Sequence, residues 1–245
     1  NLAELQFKLR ESCMVRRMKK DVLTDLPPKQ YQEMVFPCNG KARTAVDNEM
    51  REYNRSKKNL AELGAKSDLS TIEGREAYHQ AEAHLRMNLN LARKKTTETL
   101  LPMALDYLDT ALGSGKVIVF CYHKYVMREI AKRFGKLAVT VSGETPNNLR
   151  QVAVERFQGD DDVQLFIGQI KAAGVGLTLT ASSHVVFVER DFVPGRISQA
   201  EDRAHRMGQK NSVLITHCVL EDSYDQEMLE TLARKRGTVN QAMNT

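Results

Sequence analysis

Residues 116–168, KVIVFCYHKYVMREIAKRFGKLAVTVSGETPNNLRQVAVERFQGDDDVQLFIG, decide the fold class. KVIVFC (116–121) is a short unbroken apolar run, the pattern of a strand buried on both faces. A helical segment follows at 124–134, then LAVTV (137–141), a second helical segment at 147–157 and VQLFIG (163–168). The alternation continues through HVVFVE (184–189), a helix near 195–207, VLITHCV (213–219) and a last helix from about 223 to 236. Short apolar strands separated by amphipathic helices predict a parallel sheet covered on both faces. Ligands of such sheets sit at the carboxyl ends of the strands, so the residues after each strand are the first to inspect.

The pattern begins at Gly113-Ser114-Gly115. Before it, from Lys41 to about Leu112, Glu, Lys, Arg, Ala and Leu dominate and β-branched residues are few. That composition predicts a helical insertion of two or three helices, with a turn at Gly64, Ser67 and Asp68 and an interruption at Pro102. YQEMVFPC (31–38) alternates as a strand. Pro27 and Pro28 in DLPPK (25–29) end a helix predicted over 1–23, whose apolar stripe is Leu2, Leu5, Leu9 and Val15.

The 245 residues carry a net charge of +5, which permits a nucleic-acid partner without demanding one. The four cysteines, Cys13, Cys38, Cys121 and Cys218, form no CxxC pair. This argues against a zinc ribbon or a disulfide scaffold and suits a reducing, intracellular compartment, whether nucleoid or nucleus. Cys38, Cys121 and Cys218 lie in or beside apolar strands, where buried thiols are common. No apolar run is long enough to cross a bilayer, so no membrane partner is expected. Tryptophan is absent, so stacking platforms for single strands are sparse. The first residue is Asn1 rather than Met, which fits a piece of a longer protein.

QAEDRAHRMGQ (199–209) is the stretch richest in chemistry. If helical throughout, it places Gln199, Arg203 and Arg206 on one face and Ala200, Ala204 and Met207 on an adjoining face turned to the core, with Gly208 as the stop. Two guanidinium forks on one face match the oxygens of a phosphate chain and never lose their charge. Asp160-Asp161-Asp162 reads as a solvated turn, and His79 and His84 lack ligand partners in register, so no metal site is expected. The ten methionines read as core filler.

Five ordered segments then carry a resemblance. They are VRRMKKDVLTDLPPK (15–29), FCYHK (120–124), VSGETPNNLRQVAVERFQ (141–158), IKAAGVGLTLTAS (170–182) and VPGRISQAEDRAHRMGQ (193–209). Together they resemble the connector, motif IV, its downstream glycine turn, motif V and motif VI of the second RecA-like lobe of superfamily 2 helicases. Within that superfamily the likeness is to the SWI/SNF class of DNA translocases, above all its annealing-helicase (HARP-like) branch. It covers nearly the whole chain. Two departures stand out: Asp191-Phe192-Val193-Pro194 replaces the usual aromatic pair before the Pro-Gly, and motif V reads Ala173-Gly174-Val175-Gly176.

The resemblance implies an α/β RecA-like parallel sheet flanked by helices, with a helical insertion. It divides the chain into a connector (1–30), a first strand with a helical protrusion (31–112), the helicase core (113–220) and a brace helix (221–245). The chain has no GxxxxGK[ST] loop and no DEAH-like box; Gly115-Lys116 is followed by Val117 and Gly40-Lys41 by Ala42. In such motors ATP and Mg2+ are held mainly by the N-terminal RecA-like lobe, the implied partner, so this polypeptide is expected to be inactive by itself. Arg203 and Arg206 would act on that ATP, with Gln199 orienting it. Gly174, Gly176, Asp202 and Gln209 would line the nucleotide side. His123, Lys124, Ser142, Gly143, Thr145 and Thr178 would contact the backbone of double-stranded or branched DNA, at the other end of the strands. A stand-alone nucleic-acid-binding module and a lobe of an RNA helicase remain the rival readings.

Overall fold

The computed structural model describes residues 4, 7–8, 11–12, 23, 25–66, 70–172, 176–191 and 193–229. A six-stranded sheet has the order β1-β6-β5-β2-β4-β3. Its strands are β1 (Lys29–Phe36), β2 (Val117–Cys121), β3 (Ala138–Val141), β4 (Leu165–Gln169), β5 (His184–Phe187) and β6 (Val213–Leu220). β2 pairs in parallel with β4 on one side and β5 on the other, β3 with β4, and β5 with β6. The central strand VIVFC is wholly buried, which explains why its sequence is unbroken rather than alternating. Between the strands run helices α1 (Lys41–Lys66), α2 (Ile72–Leu112), α3 (Lys124–Phe134), α4 (Asn147–Gly159) and α5 (Pro194–Glu201).

The chain divides into two compact units. One comprises Asn1–Met34, Tyr107–Cys218 and Met228–Thr245; the other comprises Val35–Asp106 and Val219–Glu227. The core of the first gathers Phe120, Phe166 and Phe187 from the strands with Phe157 of α4 and Ile197 and Ala200 of α5. Gly168 is required there: a Cβ on it would stand 2.7 Å from a ring carbon of Phe120. In the second unit a buried polar cluster joins the helices to residues 219–227. Arg93 donates to Asp225 at 2.6 Å, and Tyr53 packs on Tyr224 with ring centroids 4.6 Å apart. Burial, reinforced by the Asp225 charge and opposed by Arg93, pushes the Glu49 carboxyl up to about 8.

The strands fall within two residues of their expected bounds, and α3 matches at both ends. Three expectations are corrected. Helix α2 runs unbroken through Pro102, because Leu100, Leu101, Ala104 and Leu108 around it are anchored in buried positions. The helix expected over 195–207 ends at Glu201, and residues 202–208 form turns. Met207, expected in the core, is 75% exposed, and Gly208, at φ +95°, turns the chain well past the helix end rather than stopping it. Cys38, Cys121 and Cys218 are buried, as expected, and burial raises the Cys218 thiol to about 12. Most of the helix expected over 1–23, and the last helix beyond residue 229, lie outside the described residues, as do Cys13, Ser67, Asp68, Ala173, Gly174, Val175 and Phe192.

Candidate functional site

Motif VI leaves α5 at Glu201 and continues as a run of turns, so Arg203 and Arg206 sit beyond the helix that carries exposed Gln199. The turns persist because tertiary contacts take over from the helix. The Arg203 carbonyl accepts from Leu179 N–H at 2.9 Å, and Ala204 is fully buried. Arg206 Nη1 donates to the Leu177 carbonyl (3.2 Å) and to Thr178 Oγ1 (3.1 Å), both neutral oxygens from motif V. Burial and the charge of Arg206 lower the Arg203 pKa, against the opposing pull of Asp202. A guanidinium stays protonated regardless, so this shift reflects first the cost of burying the charge and then that of holding a like charge nearby. An incoming anion would relieve that cost.

The remaining nucleotide-side expectations divide. Gly176, at φ +36°, is exposed and lets the backbone turn sharply after the undescribed Gly174. Asp202 caps α5 and accepts from Lys29 Nζ at 2.9 Å. Gln209, expected on the nucleotide side, braces the turn internally. It is buried, its Nε2 donates to the Ser182 carbonyl at 2.9 Å, and its Oε1 accepts from Lys210 and Asn211 N–H.

The residues expected at DNA cluster at the carboxyl ends of β2 and β3. His123 Nδ1 stands 2.5 Å from Glu189 Oε1, while Oε2 of the same buried carboxylate accepts the N–H groups of Tyr122 and His123. Lys124 pairs with Glu144, and that pairing holds the Glu144 carboxyl below its ordinary range. Ser142, Gly143 and Thr145 form a closed turn. Ser142 N–H donates to Thr145 Oγ1, Gly143 N–H to Gln169 Oε1, Glu144 N–H to Ser142 Oγ, and Thr145 N–H to the Ser142 carbonyl. The expectation of free amides is therefore corrected: a phosphate here would meet side-chain donors first. Thr178 does not join this rim; its hydroxyl holds Arg206.

The two groups lie toward opposite ends of the sheet. The segment bonded to Arg203 runs on to Ser182, whose hydroxyl donates to the Lys116 and His184 carbonyls at the amino ends of β2 and β5. The arginines are thus not at the carboxyl ends, where the strand rule alone would put a ligand.

Sequence reasoning missed the buried charges of Glu189, Arg190 and Asp191, and it missed Gln169. Asp191 shapes the entry to α5, accepting from Val193 N–H at 2.9 Å and Arg196 Nη1 at 3.0 Å. Gln169 ties two strand ends together by accepting from Gly143 N–H and donating to the Tyr122 carbonyl. The available signal was three consecutive charges directly after an apolar strand with no turn residue between them.

Residues 100–208 match the helicase conserved C-terminal domain. The chain is 31% identical over 244 residues to a Caenorhabditis elegans protein, the SWI/SNF-related matrix-associated actin-dependent regulator of chromatin subfamily A-like protein 1 homolog. That match covers 98% of this chain and 32% of the relative. It is 32% identical over 249 residues to the mouse DNA annealing helicase and endonuclease ZRANB3, covering 100% of this chain and 22% of that protein. The chain therefore spans about a third or less of the length of these relatives. Among solved structures, the C-terminal part of the Fun30 ATPase domain matches with a TM-score of 0.61 at 19% identity, over 84% of this chain and 89% of that one. At that identity the likeness speaks to the fold, which is the RecA-like α/β fold.

Proposed function

Since the chain is a helicase-like C-terminal lobe of the SNF2 superfamily, homologous to DNA translocases and remodellers, we propose that it is the responsive half of an ATP-dependent DNA translocase. In this reading Arg203 and Arg206 reach toward ATP held by an N-terminal RecA-like lobe, and the rim at the carboxyl ends of β2 and β3 faces the DNA backbone. The supporting observation is the pair of guanidinium groups held close enough for Arg206 to perturb Arg203, with Arg206 resting on neutral oxygens. Such a donor pair fits a polyphosphate. Bound ATP with Mg2+ would supply the phosphoryl group to be transferred.

What this chain adds is charge stabilisation and timing. The arginines neutralise negative charge as it develops, an effect worth roughly three to five powers of ten in turnover where such arginines have been dissected. Because they arrive from a separate lobe, closure completes the site and opening dismantles it. Gln199, exposed on α5 ahead of them, orients the nucleotide. On the rim, Lys124, His123 and the Ser142–Thr145 turn meet phosphates without reading bases, so binding falls steeply with salt.

The test is Arg206→Ala in the full two-lobe protein, assayed for DNA-stimulated ATP hydrolysis and DNA affinity. Hydrolysis should fall by about three powers of ten with affinity nearly unchanged. Wild-type turnover would refute the reading.

A further inference from the structure

The turn that carries the arginines is gripped from a second side, by residues 27–31. Lys29 Nζ donates to Glu201 Oε2 and to Asp202 Oδ1, each at 2.9 Å. Tyr31, two residues along and therefore on the same face of β1, donates its hydroxyl to Glu201 Oε2 at 3.0 Å. His205 Nε2 donates to the Pro27 carbonyl at 2.8 Å, and the Pro28 carbonyl accepts from Val213 N–H at 3.1 Å. The pair is shielded: the Glu201 side chain is 1% exposed and that of Lys29 18%. Burial alone would lower the Lys29 pKa, but the two carboxylates outweigh it and raise it.

Contacts to Glu201, Asp202 and His205 bracket Arg203 in sequence, and Arg206 follows immediately. The gripping segment is also stiff, because Pro27 and Pro28 fix their own φ and restrict the residue before each. A displacement of residues 27–31 is therefore transmitted to the turn rather than absorbed by the segment. On its other side the turn is held by Leu177, Thr178 and Leu179.

We infer that Lys29, seconded by Tyr31, is a positioning residue for the arginine turn: residues 27–31, at the start of β1, set where Arg203 and Arg206 stand, so movement of that segment is read directly by the catalytic arginines. This rests on the proposed function above. It adds that the arginines answer to the start of β1 as well as to motif V. The salt bridge is the coupling element because its three partners join the two segments at the residue where α5 ends.

Two measurements test it. In the full-length two-lobe protein, Lys29→Met keeps the length of the side chain and removes its charge. It should lower the kcat of DNA-stimulated ATP hydrolysis about tenfold or more while KM for ATP and DNA affinity stay within about twofold, and Lys29→Arg should restore most of the loss. If Lys29→Met leaves kcat unchanged while Arg206→Ala abolishes it, the coupling is refuted and the motor reading stands. If neither variant affects hydrolysis, the motor reading itself fails. Should Lys29→Met prove unstable, Tyr31→Phe removes only one hydroxyl from Glu201. In the 245-residue chain it should speed amide hydrogen exchange across 203–206 while leaving β2 and β4 protected. Unchanged exchange across the turn would overturn the proposal independently of any activity.

Discussion

The rim at the carboxyl ends of β2 and β3 and the arginine turn beyond α5 treat charge in opposite ways. On the rim three cationic or ring donors have local partners: Lys124 meets Glu144, His123 meets Glu189, and Arg150 donates to the carbonyls of Ser142, Gly143 and Thr145. In the turn, Arg206 rests on a carbonyl and a hydroxyl, and burial together with the Arg206 charge lowers the Arg203 pKa. Under the proposed function, a rim whose charges are locally paired suits passage along a repeating polyanion. In the same reading, a turn that holds two positive charges close together suits a compact polyanion. Under that proposal, the difference would separate tracking from catalysis within one lobe.

The sharpest way to break that comparison is to treat both regions alike. Arg206→Ala should cost about three powers of ten in turnover, whereas Lys124→Ala, tested in the same two-lobe protein at saturating DNA, should leave turnover within about twofold and weaken DNA binding instead. Equal losses of turnover would mean the two regions are not distinct.

A smaller effect undermines the rim from beneath. Gly168→Ala drives a methyl against the Phe120 ring one residue before Gln169, the side chain that ties Gly143 to Tyr122. It should destabilise the chain by about 1–3 kcal/mol in denaturant titration, as overpacked cores do. An unshifted midpoint would show that the core yields there.

The helical unit has a frustrated pair of its own in Glu49 and Asp225. The Glu49 carboxyl is raised in the fold, so the stability it allows is complete below its unfolded value near 4.5 and is lost as pH climbs toward about 8. Glu49→Gln should therefore melt like the parent near pH 4.5 and at progressively higher temperature than the parent as pH rises to 9. A pH-independent difference in melting temperature would count against the cluster described here.

The smallest effect lies on the rim. Glu144→Gln frees the Lys124 ammonium and should tighten DNA binding a few-fold at low salt, with the salt dependence steepening by about one counterion. No change in that slope would mean Lys124 faces away from the backbone.

Much of this was legible in the sequence because the sheet is buried on both faces. VIVFC and its neighbours carry a strand signal that nothing local contradicts, and the amphipathic helices between them alternate cleanly. What misled was the end of motif VI. Gln199, Arg203 and Arg206 keep helical spacing, and Ala200 and Ala204 are both buried, yet the helix ends between those alanines because Leu179, Pro27 and Lys29 supply the partners for the turn. Distant groups decided that boundary, and local propensity had no access to them. Pro102 misled in the reverse sense, since buried leucines on either side hold α2 together across the missing hydrogen bond. The buried run Glu189-Arg190-Asp191 was invisible for a related reason. Charges after a strand read as solvated until the loops that enclose them are known.

The thiols offer a practical consequence of the buried sheet. Cys121, in the central strand, and Cys218, in β6, are buried and held far from the thiolate form. A reagent that alkylates thiolates will label neither until the strands part. The rate at which Cys121 becomes labelled is therefore an intrinsic clock for opening of the central strand, readable by mass spectrometry without any engineered probe.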